Sequence, residues 1–320
     1  MNLLHIIENE MLAKHTAWRI GGPARYYAKA TTIEDLRAGL EWAEQRNLPF
    51  FLIGGGTNLL VRDTGFPGLV MHYVNRTWRV TSETLQHETL GATGTLYVEA
   101  GAPMAGTVRR IAAQGWAGLE WAEGLPGAVG GAVYGNAGCY GGDIASTLIR
   151  AWVLVNDQLE EWPVQQFAYG YRTSLLKRLE LENERLHQIE TTKSTSQTSK
   201  IYRRAPIVLA AEFKLVRADP ADLAEKMAAI ATERKGKTPW GSSCGSVFKN
   251  PPGQSAGRLI EQTGLKGARC GAAEISQRHG NYIVNMGGAR SDDVLHLIEM
   301  ARSAVLRQFE IELELEVRIL

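Results

Sequence analysis

Nine glycines fall within the 25 residues from Gly118 to Gly142, while the whole chain carries 34 in 320. Glycine gives up more backbone freedom on folding than any other residue, so such a run is costly unless something gains from bare backbone. Two gains are open: tight packing of chain on chain, or close approach of backbone to a large flat ligand and its diphosphate. A second run, Gly54-Gly55-Gly56-Thr57-Asn58, follows the apolar stretch Pro49 to Ile53 and precedes Leu59, Leu60 and Val61. Glycines after a strand let successive N–H groups turn inward around an anion, and Thr57 and Asn58 add short polar side chains. The run lacks the Lys-[Ser/Thr] of a P-loop, and its spacing differs from the Gly-x-Gly-x-x-Gly dinucleotide fingerprint. Taken alone, it also reads as a plain turn.

The chain reads as α+β, and 320 residues fit two or three compact domains. In the first segment, to about residue 72, Thr32 and Asp35 predict a helix start. Ile33, Leu36, Leu40 and Ala43 recur at helical spacing up to about Asn47. Strands are expected at Pro49–Ile53, Leu59–Val61 and Gly68–Met71, a β-α-β-type start. The second segment, 73–216, carries expected strands at Leu96–Ala100, Ala151–Val155 and Ile207–Leu215, and a helix from Met104 to Gln114 stopped by Gly115. Within it, Leu179 to Arg204 is charged and rich in serine and threonine, with too little apolar content to pack, and reads as a surface insert. The third segment, 217–310, opens on Asp219-Pro220, an N-cap followed by proline at the first helical position. A further helix is expected after Ser291, with Val294, Leu297, Ile298, Ala301 and Val305 on one face. From Phe309 to Leu320 apolar and charged residues alternate strictly, the pattern of a half-buried strand.

The net charge of +1 gives no reason to expect nucleic acid or an acidic membrane as partner. No run of 18 apolar residues marks a membrane span, and the first residues lack the pattern of a signal peptide. Three cysteines, Cys139, Cys244 and Cys270, without Cys-x-x-Cys or zinc spacing, predict a reducing cytoplasm and no metal site, with packing roles for Cys139 and Cys244.

Several motifs together resemble a known family. They are Thr16-Ala-Trp18-Arg-Ile20-Gly21-Gly22, Gly54-Gly-Gly-Thr-Asn58-Leu-Leu, Gly124-Leu-Pro-Gly-Ala-Val-Gly-Gly131, Tyr171-Arg172-Thr-Ser174, Gly245-Ser246-Val-Phe248-Lys-Asn250-Pro251 and Glu316-Val-Arg318. In this order they are similar to the UDP-N-acetylenolpyruvoylglucosamine reductases, flavoenzymes of the vanillyl-alcohol-oxidase-type superfamily. The resemblance implies a two-part FAD-binding module, 1–72 and 73–216, followed by an α+β domain, 217–310, for a UDP-sugar. The terminal strand, 311–320, is expected to return to the first part. Gly54, Gly55, Gly56, Thr57 and Asn58 would hold the FAD diphosphate. Gly124, Gly127, Gly130, Gly131 and Ala132 would lie along the flavin. NADPH is implied as hydride source, UDP-N-acetylglucosamine enolpyruvate as substrate, and a monomer as the working state. Another flavin oxidoreductase of the same superfamily is the alternative.

The resemblance also assigns roles. Negative charge builds beside the substrate carboxylate once hydride adds to the enolpyruvyl group, and a fixed cation there stabilises the transition state. Arg172 matches that cation, with a guanidinium planar enough to suit a carboxylate. Ser246 matches the proton donor, and Glu316 its partner. Unaided, the residues leave other readings open: a surface ion pair for Arg172 and a turn before Asn250-Pro251 for Ser246. Strand alternation cannot choose among Glu310, Glu312, Glu314 and Glu316. Tyr171, Arg234, Lys237 and Asn250 are implied as substrate contacts, and Tyr202 is a weaker match to a tyrosine of the family's other group.

Overall fold

The computed structural model describes residues 4–82, 91–182 and 205–320. Contacts gather the chain into two compact units, Met1–Tyr73 together with Ala231–Leu320, and Val74–Ile230.

The first unit starts on β1 (Ile6–Met11) and β2 (Pro23–Ala30), which pair antiparallel. Helix α1 (Ile33–Gln45) then leads to β3 (Phe50–Ile53), β4 (Leu59–Leu60) and β5 (Phe66–Tyr73). The Thr32 hydroxyl accepts from the Asp35 N–H at 3.0 Å, and the Asp35 carboxylate accepts from the Thr32 N–H at 3.1 Å. That is the capping box the sequence predicts. β5 runs parallel to both β2 and β3 in the order β1-β2-β5-β3. Parallel strands need a crossover, and α1 carries the chain from β2 to β3, which flank β5, while burying Leu36, Leu40 and Ala43.

The second unit is built on a five-strand path. It contains β6 (Trp78–Ser82), β7 (Thr93–Glu99), α2 (Met104–Ala113), β8 (Trp116–Ala117), α3 (Val129–Gly135), β9 (Gly138–Cys139), β10 (Gly142–Asp143), α4 (Ile144–Thr147), β11 (Leu148–Val155), β12 (Gln158–Pro163) and β13 (Ile207–Arg217). The sheet order is β12-β11-β13-β7-β6, with β8 beside β13, and the pairs are antiparallel. α2 ends where Gly115 adopts φ 77°, a left-handed turn suited to glycine. A helix begins at residue 175 and is described to 182. The expected surface insert therefore begins as helix, and its remainder, 183–204, with Tyr202, lies outside the described residues.

Beyond it come α5 (Pro220–Lys237), α6 (Ala256–Gln262), β14 (Arg269–Cys270), β15 (Ala273–Ile275), β16 (Ile283–Asn285), α7 (Ser291–Phe309) and β17 (Arg318–Ile319). Asp219 accepts from the Ala221 N–H at 2.7 Å, so the Asp-Pro start of α5 is as its sequence predicts. The expected stripe of α7 is buried from Val294 to Val305. In the first unit Trp18, Ile20 and Leu60 share one core with Phe248, Ile260, Ile275, Leu297 and Val317. Thus the chain before Tyr73 and the chain after Ala231 bury the same apolar surface. Truncating a fully buried aromatic such as Trp18 in a core of this kind costs about 3–5 kcal/mol.

The expected strand Phe309–Leu320 needs correction. Phe309 ends α7, Glu310 takes a left-handed turn at φ 58°, and within this segment only Arg318–Ile319 forms a strand, parallel to β4. The alternation of burial persists as far as Glu314, where the extended segment threads between two partners. Residues 247 and 249 bond to it at Glu314 and Glu316, and residues 58, 60 and 62 bond to it from Arg318 to Leu320. Period-2 burial needs extended backbone, not one continuous sheet neighbour.

Candidate active site

In the first unit the Gly54–Asn58 loop is held from beneath by the Thr16–Gly22 motif. Ala17 donates its N–H to the Gly56 carbonyl at 2.9 Å. Gly56 has φ 60°, and a Cβ there would lie 1.8 Å from the His15 carbonyl oxygen. A Cβ on Gly22 would lie 2.1 Å from the Asp63 carbonyl oxygen. These two glycines are therefore required by chain packing. Gly55 is exposed, as is Asn58. Trp18 is locked by its indole N–H on the Ile283 carbonyl at 2.7 Å and by the Asn285 amide on its own carbonyl at 2.9 Å.

The terminal segment passes the same loop. Asn58 donates its side-chain amide to the Glu316 carbonyl at 2.9 Å, and the Glu316 N–H donates to Val247 at 2.8 Å. The backbone of Glu316 thus lies between the residue that follows Ser246 and Asn58 of the glycine loop. Among the described residues, no side chain or backbone group hydrogen-bonds the Ser246 hydroxyl. The structure also separates the four glutamates that alternation leaves equal. Glu310 closes α7, Glu312 is exposed and pairs with Arg302 at 3.3 Å, and exposed Glu314 pairs with Lys249. Glu316 is half-buried.

Asn250, an expected substrate contact, accepts from the Ala256 N–H at 3.1 Å and so helps start α6. Arg234 and Lys237 lie in the last turn of α5, where cations complement the helix dipole, and exposed Lys237 pairs with Glu233.

In the second unit the dense glycine run divides by cause. A Cβ on Gly130 would come within 2.8 Å of the Ala100 Cβ, and one on Gly142 within 2.4 Å of the Trp121 ring. These are packing glycines. A Cβ on Gly131, Gly135 or Gly141 would meet no described atom within 4 Å. Gly131 and Gly135 are one turn apart, so one face of α3 is a strip of bare backbone that chain packing does not require. A hollow of about 290 Å³ borders the end of the run, lined by Cys139, Tyr140, Gly141, Gly142, Asp143 and Ser146. A strip without side chains leaves room for a flat ring system to approach the backbone.

Tyr171 and Arg172 form a tight turn, closed by bonds of 3.1 Å and 3.2 Å between Gly170 and Thr173. Tyr171 is exposed. Arg172 sits at φ 54°, a conformation that costs a non-glycine residue roughly 1 kcal/mol or more. Its guanidinium donates to the carbonyls of Gly138 at 2.6 Å and Asn136 at 3.4 Å, which ties the turn to the glycine run. The Lys177 ammonium donates to the Arg172 carbonyl at 3.4 Å. Ser174 is fully buried; its hydroxyl donates to the Tyr134 carbonyl at 2.6 Å and accepts from the Lys177 N–H at 3.2 Å. The serine of the Tyr-Arg-x-Ser motif is therefore a helix cap anchored on α3. Asn136 and Lys177 gave no signal in sequence, because their partners are 34 and 5 residues away and are backbone groups.

Two family models match this chain: an FAD binding domain over residues 24–157, and the C-terminal domain of UDP-N-acetylenolpyruvoylglucosamine reductase over 235–320. A reductase of that name from Chloroflexus aggregans is 54% identical over 98% of this chain and 96% of its own length. The chain belongs to the UDP-N-acetylenolpyruvoylglucosamine reductase family. A member from Rubrobacter xylanophilus is 38% identical over 97% of this chain and 94% of its own. The crystal structure of the reductase from Thermus caldophilus covers 99% of both chains with a TM-score of 0.76 at 33% identity. Family membership makes the chain an FAD-dependent oxidoreductase, and the α+β fold expected from sequence is that of the reductases.

The cysteines of this reductase are free. Burial pushes the Cys244 thiol up to about 12, and its S–H points to the Leu59 carbonyl at 3.4 Å. Only the thiolate reacts with disulfide reagents. We expect a thiol titration of the native protein at pH 8 to miss Cys244 and to count it only after denaturation. Rapid native labelling of Cys244 would contradict its packing role. Among the described residues no cluster of histidine, cysteine and carboxylate side chains could hold a metal, and no helix is long and apolar enough to cross a membrane.

Proposed function

We propose that this reductase reduces the enolpyruvyl double bond of UDP-N-acetylenolpyruvoylglucosamine to give UDP-N-acetylmuramate, a peptidoglycan precursor, with NADPH as electron source. The observation that carries the reading is one chain holding both an FAD binding domain and the C-terminal domain of this reductase family. When bound, FAD supplies the hydride, received from NADPH, to the terminal carbon of the enolpyruvyl group. Gly54, Gly55, Gly56, Thr57 and Asn58 would hold its diphosphate. The run from Gly124 to Ala132 would meet its ring through the open strip at Gly131 and Gly135, with Gly130 packed on Ala100. Arg172 places a fixed cation at the substrate carboxylate, where the electron pair left by hydride addition is delocalised. Ser246 then donates its hydroxyl proton to the neighbouring carbon, and Glu316 stabilises and restores the serine. Tyr171, Arg234, Lys237 and Asn250 would orient the UDP-sugar. A monomer suffices, because no role in this reading is left to a second copy. Free thiols suit the reducing cytoplasm, where this chemistry would run.

The test is whether the purified protein is yellow and consumes NADPH only when the enolpyruvyl UDP-sugar is added. Oxidation of small alcohols with peroxide release, and no response to the UDP-sugar, would overturn the reading.

The cradle has its own test. Gly55→Asp puts a carboxylate where the diphosphate would lie, at an exposed position where a side chain can be built without unfolding the loop. We expect FAD affinity, measured by fluorescence titration of apoprotein, to fall at least tenfold with the melting temperature preserved. Undiminished affinity would remove Gly55 from the site.

A further inference from the structure

We propose that Asn136 is the positioning residue that holds Arg172 in its strained, working turn. The inference rests on the role given to Arg172 above. Asn136 is buried, and its side chain is used at both ends. Its amide donates to the Gly170 carbonyl at 3.0 Å, and its oxygen accepts from the Ala145 N–H at 3.0 Å. Its own carbonyl accepts from the Arg172 guanidinium. Asn136 also ends α3: it adopts φ 48°, and its N–H donates to the Ala132 carbonyl. One residue therefore closes the bare-backbone helix, bonds the first residue of the Gly170–Thr173 turn and receives the guanidinium carried by that turn. A non-glycine residue at φ 54° persists only when its surroundings over-determine it. The bond to Gly170 is a link by which the glycine run imposes that conformation.

Asn136→Gly separates the side chain from the backbone, because glycine keeps the left-handed turn without strain. Asn136→Asp keeps the acceptor for Ala145 but cannot donate to Gly170. A displacement of about 1 Å at a reacting group can cost about a hundredfold in rate. In both variants we expect FAD retention and flavin reduction by NADPH to match the parent. Reoxidation by the enolpyruvyl UDP-sugar should slow by about tenfold to a hundredfold. Amide hydrogen exchange over residues 169–174 should accelerate in apoprotein and holoprotein alike. Added to Arg172→Gly, Asn136→Gly should cause no further loss, since it acts through that guanidinium. Parent-like reoxidation in both Asn136 variants, with Arg172→Gly slow, would overturn the inference and leave the role of Arg172 standing. Equal loss in both half-reactions, or a further loss beyond Arg172→Gly, would mean general structural damage and would also overturn it. Parent-like reoxidation in Arg172→Gly itself would remove the reading on which the inference rests.

Discussion

Ser246→Ala is expected to take up electrons from NADPH at the parent rate and then fail to pass them on. In the proposed mechanism the serine protonates the substrate within the second half-reaction, so the first half-reaction does not need it. Without a proton to trap the charge on the carbon next to the substrate carboxylate, hydride addition is uphill and reverses, so reduced enzyme should persist when the UDP-sugar is added. General acids commonly contribute about two to four orders of magnitude, and the predicted loss lies in that range. Ser246 stands in a turn beside Gly245 at φ 76°, so a purely structural serine is the competing account. That account predicts either no effect or equal damage to both halves through disturbed folding. Stopped-flow absorbance of the flavin follows the two halves separately. Reoxidation of Ser246→Ala at the parent rate would show that the proton comes from elsewhere.

Arg172→Gly is expected to lose the second half-reaction by about two to three orders of magnitude while melting close to the parent temperature. Two effects on stability oppose each other. Glycine relieves a backbone conformation that costs arginine roughly 1 kcal/mol or more. The guanidinium bond to the Gly138 carbonyl is lost, at about 1.5–3 kcal/mol for a charged donor, together with the longer, weaker bond to the Asn136 carbonyl at 3.4 Å. The sum is small. A surface ion pair, the other reading of Arg172 in sequence, predicts a small change in activity as well. Because the substrate carboxylate is charged before and after hydride addition, some of the loss should appear as weaker substrate binding. The larger part should appear in the rate, where the delocalised charge is greatest. A variant with parent kinetics would take Arg172 out of the site.

Much was legible in the chain itself, for local reasons. The capping box at Thr32 and Asp35, the Asp219-Pro220 helix start and the buried stripe of α7 depend on residues within a few positions of one another. The density of glycine between Gly118 and Gly142 was visible as a cost needing a cause. Which cause applies was not visible, because it depends on what stands opposite each α-carbon. Ala100 and Trp121 fill the space at Gly130 and Gly142, whereas Gly131 and Gly135 face none of the described chain.

The terminal segment gives the sharpest division. Sequence set its alternation of apolar and charged residues, and burial follows that alternation as far as Glu314. Tertiary structure decided that its partners are the bridged Val247–Lys249 segment and β4 rather than one long strand neighbour. It also decided that Glu312 and Glu314 are engaged at the surface by Arg302 and Lys249, while Glu316 lies against Val247 and Asn58. The same holds for Arg172. Its motif marked the residue, but its left-handed backbone and the Asn136 clamp come from groups 34 and 36 residues away in the chain. Side-chain period is a property of neighbouring residues and can be read from them. The choice between equivalent positions on one period is made by long-range hydrogen bonds and packing, which exist only once the chain has folded.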